Sequence, residues 1–240
     1  MNTTLFRASS RGHANHGWLD SRHTFSFANY YNPDRINFGA LRVVNDDIVA
    51  GGEGFGTHPH DNMEIVSIPL YGDLEHKDSM GHTEVIRSGE VQVMSAGTGI
   101  THSEYNANKE KPVSFFQIWV FPNERNVTPR YDQRKFDFLE KKNQLVQLVG
   151  PKDDKENTGM WMHQDAWFSM GTYDKGVEFE YKPKKAGNGV FAMVVEGEFT
   201  VAGQKLNHRD ALGVSDTDVV KLTADTDNAR ILLIDVPMVF

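Results

Sequence analysis

The chain has 240 residues, of which 39% are hydrophobic and 24% charged, a composition typical of a soluble globular protein with one or two domains. Its formal net charge of −8 argues against a general electrostatic attraction to nucleic acid or to an anionic membrane. The absence of cysteine excludes disulfides, thiolate zinc sites and iron–sulfur clusters.

Neither the N-terminal sequence nor the apolar runs indicate targeting or membrane insertion. No stretch of 18 or more apolar residues occurs, so no membrane-spanning helix is expected. The N-terminal sequence MNTTLFRASSRG lacks the apolar core of a secretory signal. We therefore expect a cytoplasmic protein that does not contact a membrane.

The first 37 residues are rich in aromatic side chains but show little periodicity. They contain His13, His16 and His23, which allow two interpretations. One is a second metal cluster. The other, which we favour, is that the histidines bond backbone groups while the aromatic rings pack beside them. Asn32-Pro33-Asp34 predicts a turn.

From Phe38 onward the sequence predicts short strands. Residues 38–45 alternate between apolar and polar positions, and residues 113–121 form an apolar, β-branched and aromatic run of strand length. Turns at Gly72-Asp73 and Ser88-Gly89-Glu90 separate shorter strands between them. Strands of this length and spacing are typical of a β-barrel or a β-sandwich.

Two glycine-flanked blocks place potential metal ligands two positions apart. His58 and His60 lie in the first block, and His102 and Glu104 lie in the second. In an extended strand, side chains at i and i+2 point to the same face, so each pair can reach one point in space. The alternative, that each pair is an ordinary surface or turn feature, is disfavoured because both pairs occur together.

Three imidazoles and one carboxylate suit a single divalent transition metal ion, and Fe, Mn, Co, Ni, Cu and Zn are all compatible with them. If the metal takes six ligands, two positions stay open, as a catalytic site requires. The four glycines at positions 51, 52, 54 and 56 predict a loop with positive φ angles ahead of His58. No Lys-Ser/Thr pair follows, which rules out a phosphate-binding loop.

The second half of the chain predicts another barrel. Residues 123–159 are polar and charged and are interpreted as a linker. Strands resume at Met160, and residues 194–214 repeat the rhythm of strand, Gly-acid turn and strand from the first half. His163 and His208 are isolated, so no metal is expected there. The predicted organisation is a metal-binding barrel at 1–122, the linker, and a metal-free barrel at 160–240.

Several sequence motifs identify the fold more specifically than the pattern of predicted strands does. The spacing of Gly52, His58, His60 and Glu64 resembles the first cupin motif, and that of Gly89, Gly97 and His102 resembles the second. More closely, the chain resembles the pirin family of bicupins. That resemblance rests on residues 11–33, 38–47, 54–65, 74–81 and 91–106, with a weaker echo at 164–168. It implies an all-β fold of two tandem cupin (jelly-roll-type) β-barrels.

The pirin resemblance also implies a ligand set. It places the metal on His58, His60, His102 and Glu104. Glu64 is the rival carboxylate, since the general cupin motif uses that position as a ligand; otherwise it would hydrogen-bond a ligand imidazole and orient it.

Other polar residues lie between the two motifs. We interpret His76 and His82 as strand and turn residues without metal contact. Asp78 and Ser79 are interpreted as turn and hydrogen-bonding residues.

Two functions are implied by the resemblance. One is a metal-dependent dioxygenase of the quercetin 2,3-dioxygenase type, with a flavonol such as quercetin and O2 as substrates. Glu104 would be its general base, and Phe38, Phe55 and Phe116 are candidates for an apolar wall. The other is a regulatory protein that binds a transcription factor or a metabolic enzyme. An enclosed apolar cavity favours the enzyme, and an exposed patch favours the regulator.

Both functions share two further expectations. Direct binding of nucleic acid is not expected, because of the charge. A monomer is expected, because the second barrel can supply the contact that a single cupin would seek in a dimer.

Overall fold

In a computed structural model that describes residues 1–240, the chain forms 22 β-strands and one 3-10 turn. The 3-10 turn, Ala8–Ser10, is the sole helical element and is too short to cross a membrane. The strands up to residue 135 are β1 (Asn2–Phe6), β2 (Gly12–Asn15), β3 (Leu19–His23), β4 (Leu41–Val49), β5 (Gly54–His60), β6 (Glu64–Tyr71), β7 (Asp73–Asp78), β8 (Thr83–Arg87), β9 (Glu90–Ser95), β10 (Ile100–Asn106), β11 (Val113–Val120) and β12 (Arg130–Lys135). The later strands are β13 (Gln144–Pro151), β14 (Met160–Met162), β15 (Trp167–Tyr173), β16 (Glu178–Tyr181), β17 (Asn188–Glu196), β18 (Phe199–Val201), β19 (Gln204–Leu206), β20 (Ala211–Ser215), β21 (Val220–Ala224) and β22 (Ala229–Pro237).

These strands form four sheets, two in each half of the molecule. The first barrel consists of a seven-stranded sheet, β12-β9-β6-β11-β4-β3-β2, and a four-stranded sheet, β5-β10-β7-β8. The second barrel consists of the sheets β1-β20-β17-β22-β15-β13-β14 and β16-β21-β18-β19. Strands β13 and β14 run parallel, whereas the pairs that build the first barrel are antiparallel. The predicted all-β fold of two tandem barrels is confirmed.

Strand pairing differs from the predicted division of the chain at two places. Strand β1 begins the chain but pairs with β20, so residues 2–6 add to a sheet of the second barrel. The predicted linker 123–159 contains β12, which pairs with β9, and β13, which pairs with β15. The side chains of β12 are half-buried or exposed, so this strand carries polar residues and its sequence resembles that of a linker.

The glycine-rich stretch before His58 is only partly a loop. Gly52 adopts a positive φ of 72°, as predicted, but Gly54 and Gly56 already belong to β5. A Cβ atom on Gly54 would lie 2.3 Å from the carbonyl oxygen of Glu104. Glycine at this position therefore allows β5 to approach β10 closely, and those two strands carry the predicted metal ligands.

The apolar cores of the two barrels are unequal. The largest cluster contains 29 buried residues from both seven-stranded sheets and joins the barrels. A second cluster of 16 buried residues fills the second barrel. The first barrel has only two small clusters, of six and four buried residues. Polar side chains line much of the remaining interior, as a metal or ligand site requires.

Strand β11 separates two environments, the apolar core between the barrels and the interior of the first barrel. Side chains alternate between the two faces of a strand. Phe116 and Ile118 therefore point into the core between the barrels, whereas Phe115 joins a small cluster within the first barrel. Gln117 lies on the same face as Phe115 and is buried in the polar interior of the first barrel.

Glu64 on β6 makes a buried polar contact between the barrels. Its Oε2 atom accepts hydrogen bonds from Ser95 Oγ at 2.8 Å and from the backbone N–H of His163 at 3.2 Å. Its Oε1 atom is buried without a hydrogen-bond partner. Burial raises the pKa of Glu64 from 4.5 to about 7, and the hydrogen bonds only partly oppose that rise.

The raised pKa of Glu64 makes stability depend on pH. The folded state holds this proton more tightly than the unfolded chain, so ionisation of Glu64 costs stability as the pH rises from 4.5 through about 7. Glu64→Gln removes that cost. The variant is therefore expected to gain stability relative to the wild type as the pH rises. The difference between their free energies of unfolding should increase by on the order of 2 kcal/mol from pH 5 to pH 8.

Chemical denaturation at the two pH values measures this difference. Glu53→Gln is the control, because the same substitution there removes an exposed carboxyl group. A difference between Glu64→Gln and the wild type that stays constant with pH would contradict the assignment.

Candidate metal centre

Three imidazoles from two paired strands converge on one point. His58 lies directly opposite His102 in the pairing of β5 with β10, and His60 lies opposite Ile100. The ring centroids are 4.5 to 4.9 Å apart, and the three ligand atoms lie within 4.8 Å of one another. Metal–ligand bonds of about 2.0–2.2 Å place two donors of one ion up to ~4.4 Å apart. Small rotamer adjustments therefore suffice for one shared ion.

These imidazoles are poised to act as neutral donors. Burial, reinforced by the neighbouring imidazoles, lowers the pKa of His60 to about 4 and that of His102 to about 3. His58 Nδ1 donates to the carbonyl oxygen of Gly56 at 2.8 Å, which leaves Nε2 as its lone-pair atom. His102 Nε2 is buried without a hydrogen-bond partner. A divalent metal ion would give that nitrogen the partner it lacks, so the residues fit the group.

Glu104 lies beside this cluster rather than within it. Its carboxylate forms a second group of close donors with His76 and His102. The pairing of β10 with β5 shifts register between His102 and Glu104, which changes the direction of the carboxylate. Gln117 Nε2 donates to both carboxylate oxygens, at 2.9 and 2.7 Å. The structure thus brings the three predicted histidines together and places Glu104 next to one of them.

His76 connects His102 to a buried carboxylate. The Nδ1 atoms of the two rings are 3.3 Å apart, and His76 Nε2 is 3.1 Å from Asp78 Oδ2. With His102 Nε2 free to bind a metal, His102 Nδ1–H donates to His76 and His76 Nε2–H donates to Asp78. The interpretation of His76 as an ordinary strand residue missed this contact. The hydrogen-bonding role of Asp78 is confirmed, since it also accepts from the backbone N–H of Met80 and His82.

Glu64 belongs to neither of the two donor groups, and its hydrogen bonds go to Ser95 and to the backbone N–H of His163. The alternative in which Glu64 orients a ligand imidazole is therefore wrong, because no imidazole is among its partners.

A cavity of about 290 Å³ adjoins the cluster and lies near the lower end of the size range of ligand pockets. His58, His60 and Glu104 line it. Its aromatic lining consists of Trp18, Phe27, Phe55 and Trp119. Among the predicted wall residues, Phe55 is confirmed, whereas Phe38 and Phe116 are wrong because they lie in the core between the barrels.

The N-terminal histidines have different surroundings from those expected. His13 lies 3.2 Å from the carboxylate of Asp20 on the exposed side of the sheet. His16 and His23 line the cavity. His23 Nδ1 contacts Asn45 Oδ1 at 3.0 Å, so its partner is a side chain rather than the expected backbone group. Aromatic packing is confirmed, since the ring of Phe27 lies 5.3 Å from that of His23.

Sequence patterns did not predict most of the polar lining of the cavity, which includes Ser21, His23, Asn45, Asp47 and Gln117. Two signals were available. Gln117 interrupts the apolar run at 113–121, and three polar residues follow one another at 45–47 within β4. A polar residue inside a buried strand indicates a hydrogen-bonded interior or a site.

The fold and the site define a class of protein: a double cupin barrel whose first barrel carries a histidine and glutamate cluster suited to a divalent metal. Its aromatic cavity opens onto that cluster. Its second barrel is filled with apolar side chains.

Comparison with known proteins identifies the family. Residues 5–120 match the Pirin family model, and residues 148–236 match that of the quercetinase C-terminal cupin domain. The quercetin 2,3-dioxygenase of Escherichia coli (strain K12) is 46% identical over 235 residues, covering 98% of this chain and 99% of the relative. A pirin-like protein of Caulobacter vibrioides is 38% identical over 225 residues, covering 93% and 95%. The crystal structure of the bacterial pirin YhhW from Escherichia coli in complex with nickel(II) matches with a TM-score of 0.92 and 43% identity, covering 98% and 99%. The chain belongs to the pirin family.

The contact between His76 and Asp78 yields a test of metal affinity. Asp78→Asn replaces a charged acceptor by a neutral one, which makes His76 and then His102 less basic. We expect Asp78→Asn to weaken binding of Zn²⁺ about tenfold or more. Competition with a chromophoric chelator measures the affinity.

Asp73→Asn is the matched control, because Asp73 lies on the same strand and its side chain bonds none of the histidines. Equal zinc affinities for the two variants would contradict the role of Asp78.

Proposed function

We propose that the protein is a metal-dependent dioxygenase of the quercetin 2,3-dioxygenase type, which acts on a flavonol and O2. The observation that carries this proposal is the aromatic-lined cavity directly beside three clustered imidazoles and a carboxylate. The relative named quercetin 2,3-dioxygenase, 46% identical along nearly the whole chain, supports the substrate class.

The metal ligands in this proposal are His58, His60, His102 and Glu104. Fe, Mn, Co, Ni, Cu and Zn all accept such a set, and availability and geometry decide between them. The nickel(II) complex of the bacterial pirin YhhW is one example from the family. An ion held there would supply Lewis-acid stabilisation of a deprotonated substrate oxygen.

Glu104 is the proposed general base. Its carboxylate is buried, borders the cavity and receives two hydrogen bonds from Gln117 Nε2. Gln117 therefore fixes the carboxylate while its oxygens keep further lone pairs for a substrate hydroxyl. Transfer of the hydroxyl proton to Glu104 leaves an electron-rich flavonol anion, which is the form that reacts with O2.

The aromatic wall positions a planar substrate and excludes water. The ring of Trp119 packs edge-on against His60 at 4.9 Å and against Phe27 at 5.3 Å. The rings of Trp18 and Phe55 form another edge-on pair at 5.3 Å. Because each of these rings packs against another, its side chain has less rotational freedom to lose when a ligand enters, which lowers the entropic cost of binding.

The regulatory alternative would use an exposed patch near the metal to bind a protein partner. The aromatic side chains nearest the cluster are half-buried and line the cavity instead. This arrangement favours a small-molecule substrate over a protein partner at this site.

A turnover assay tests the proposal. Protein loaded separately with Fe, Mn, Co, Ni, Cu or Zn is mixed with quercetin in air. At least one form should consume quercetin and O2 in equal amounts, followed by loss of the flavonol absorbance and by an oxygen electrode. No consumption with any of these metals would overturn the proposed activity.

Substitutions separate metal binding from proton transfer. His102→Ala should lose the metal, because it removes the central member of both donor groups. Glu104→Gln should retain much of the metal, because the three clustered imidazoles remain, yet it should lower kcat by about 10²–10⁴, because a neutral amide cannot accept the proton. Metal content by elemental analysis and kcat are measured for each variant.

His208→Ala provides the control, because this exposed histidine lies in the second barrel. A Glu104→Gln enzyme with kcat within tenfold of the wild type would show that another group takes the proton.

A further inference from the structure

One side of the cavity has no part in the chemistry proposed above. It consists of four buried polar side chains on β3 and β4, here called the polar wall: Ser21, His23, Asn45 and Asp47. All four line the same cavity as His58, His60 and Glu104.

Strand register shows how the polar wall relates to the metal cluster. Gln117, Asn45 and His23 are direct partners across β11, β4 and β3. Ser21 and Asp47 are partners in the next row. Adjacent strands are about 4.8 Å apart, so the wall extends roughly 10 Å across the sheet from the strand that holds Gln117. A ligand that reaches Glu104 at one end can therefore reach the polar wall at the other.

The hydrogen bonds within the polar wall leave several of its atoms free for a ligand. Ser21 Oγ donates to Asp47 Oδ1, and Asp47 Oδ2 accepts no hydrogen bond from the protein. His23 Nδ1 lies 3.0 Å from Asn45 Oδ1 and 3.3 Å from Ser21 Oγ, so it donates and Nε2 remains an acceptor. The amide nitrogen of Asn45 has no acceptor in the protein. The wall thus offers two acceptors and one amide donor.

Burying the polar wall costs free energy, and a purely structural role does not explain that cost. Burial raises the pKa of Asp47 to about 7, which records the free energy of keeping a carboxylate away from water. An apolar residue would fill the same space at lower cost, and the second barrel fills its interior with 16 apolar side chains. A hydroxyl-bearing ligand gives these buried groups a function.

We propose that Asp47, Asn45 and His23 form a recognition site for phenolic hydroxyl groups at the far end of an aromatic substrate whose near end reaches Glu104. This inference rests on the proposed function and specifies its substrate class as flavonols hydroxylated on the pendant ring. Two adjacent hydroxyls donate to Asp47 Oδ2 and His23 Nε2, and the Asn45 amide donates to one of their oxygens. Asp47 repels carboxylate, sulfate or phosphate at the same position.

Binding to the zinc-loaded protein without oxygen tests the inference, because zinc is redox-inert. The probes are quercetin, which has two adjacent hydroxyls on its pendant ring, and the flavonol that lacks those two. The wild type should bind quercetin at least about tenfold more tightly, as expected for hydrogen bonds to a charged acceptor. Asp47→Asn should reduce this ratio to near one by weakening quercetin alone.

Asp20→Asn is the matched control, because Asp20 lies on β3 but outside the cavity, and it should keep the wild-type ratio. Zinc content and thermal midpoint are measured for each variant. Equal binding of the two flavonols by the wild type would overturn the recognition site, whether or not Asp47→Asn folds. So would an unchanged ratio in a folded Asp47→Asn protein.

The two proposals fail in different ways. Selective binding of quercetin without any turnover would overturn the dioxygenase activity and support the recognition site. Turnover of both flavonols with equal affinity would support the activity and overturn the recognition site. Binding of neither flavonol by the wild type would overturn the flavonol class and the recognition site together.

Discussion

The first barrel must keep ionisable and polar side chains away from water, and the rest of the molecule is arranged around that constraint. Buried polar groups are stable only where donors meet acceptors. Gln117 satisfies this rule by donating to Glu104 while its own carbonyl accepts from Ser67 at 3.0 Å. His102 Nε2 has no such partner. Hydrogen bonds within the chain thus hold Glu104 in place, whereas His102 Nε2 depends on a ligand from outside the chain for its partner.

The second barrel has the same architecture and also buries polar side chains such as Asp235, but most of its interior is apolar. Its interior is filled by 16 apolar residues, and its two isolated histidines, His163 and His208, are in neither of the close donor groups. A filled interior stabilises a fold through apolar burial, whereas a ligand site needs open space. A polar interior with a cavity has the opposite properties. The shared core of 29 residues connects the two barrels, so apolar burial in one half offsets the polar interior of the other.

Local patterns in the sequence predicted much of this structure, whereas contacts distant along the chain were beyond them. The apolar run at 113–121 predicted β11, and the two-residue spacing of His58 and His60 predicted a shared face, because both follow from strand geometry. The pairing of β1 with β20 joins segments about 200 residues apart and leaves no local signal. The placement of Phe116 in the core between the barrels depends on which face of β11 the second barrel covers, and strand periodicity alone does not decide that.

The second barrel contributes no residue to the cavity, but it contacts β4, which carries part of the cavity lining. Consecutive side chains on this strand point in opposite directions. Asp47 faces the cavity, whereas Asp46 faces the second barrel and pairs with Arg11 at 3.4 Å and with Arg209 at 3.2 Å. All residues that line the cavity lie between Ala14 and Trp119, yet Arg209 belongs to the second barrel. Ion pairs and apolar packing on the outer face of β4 restrict the backbone that carries Asp47. Recognition of a ligand requires its polar groups to be held within a fraction of an ångström, and the second barrel supplies that restraint.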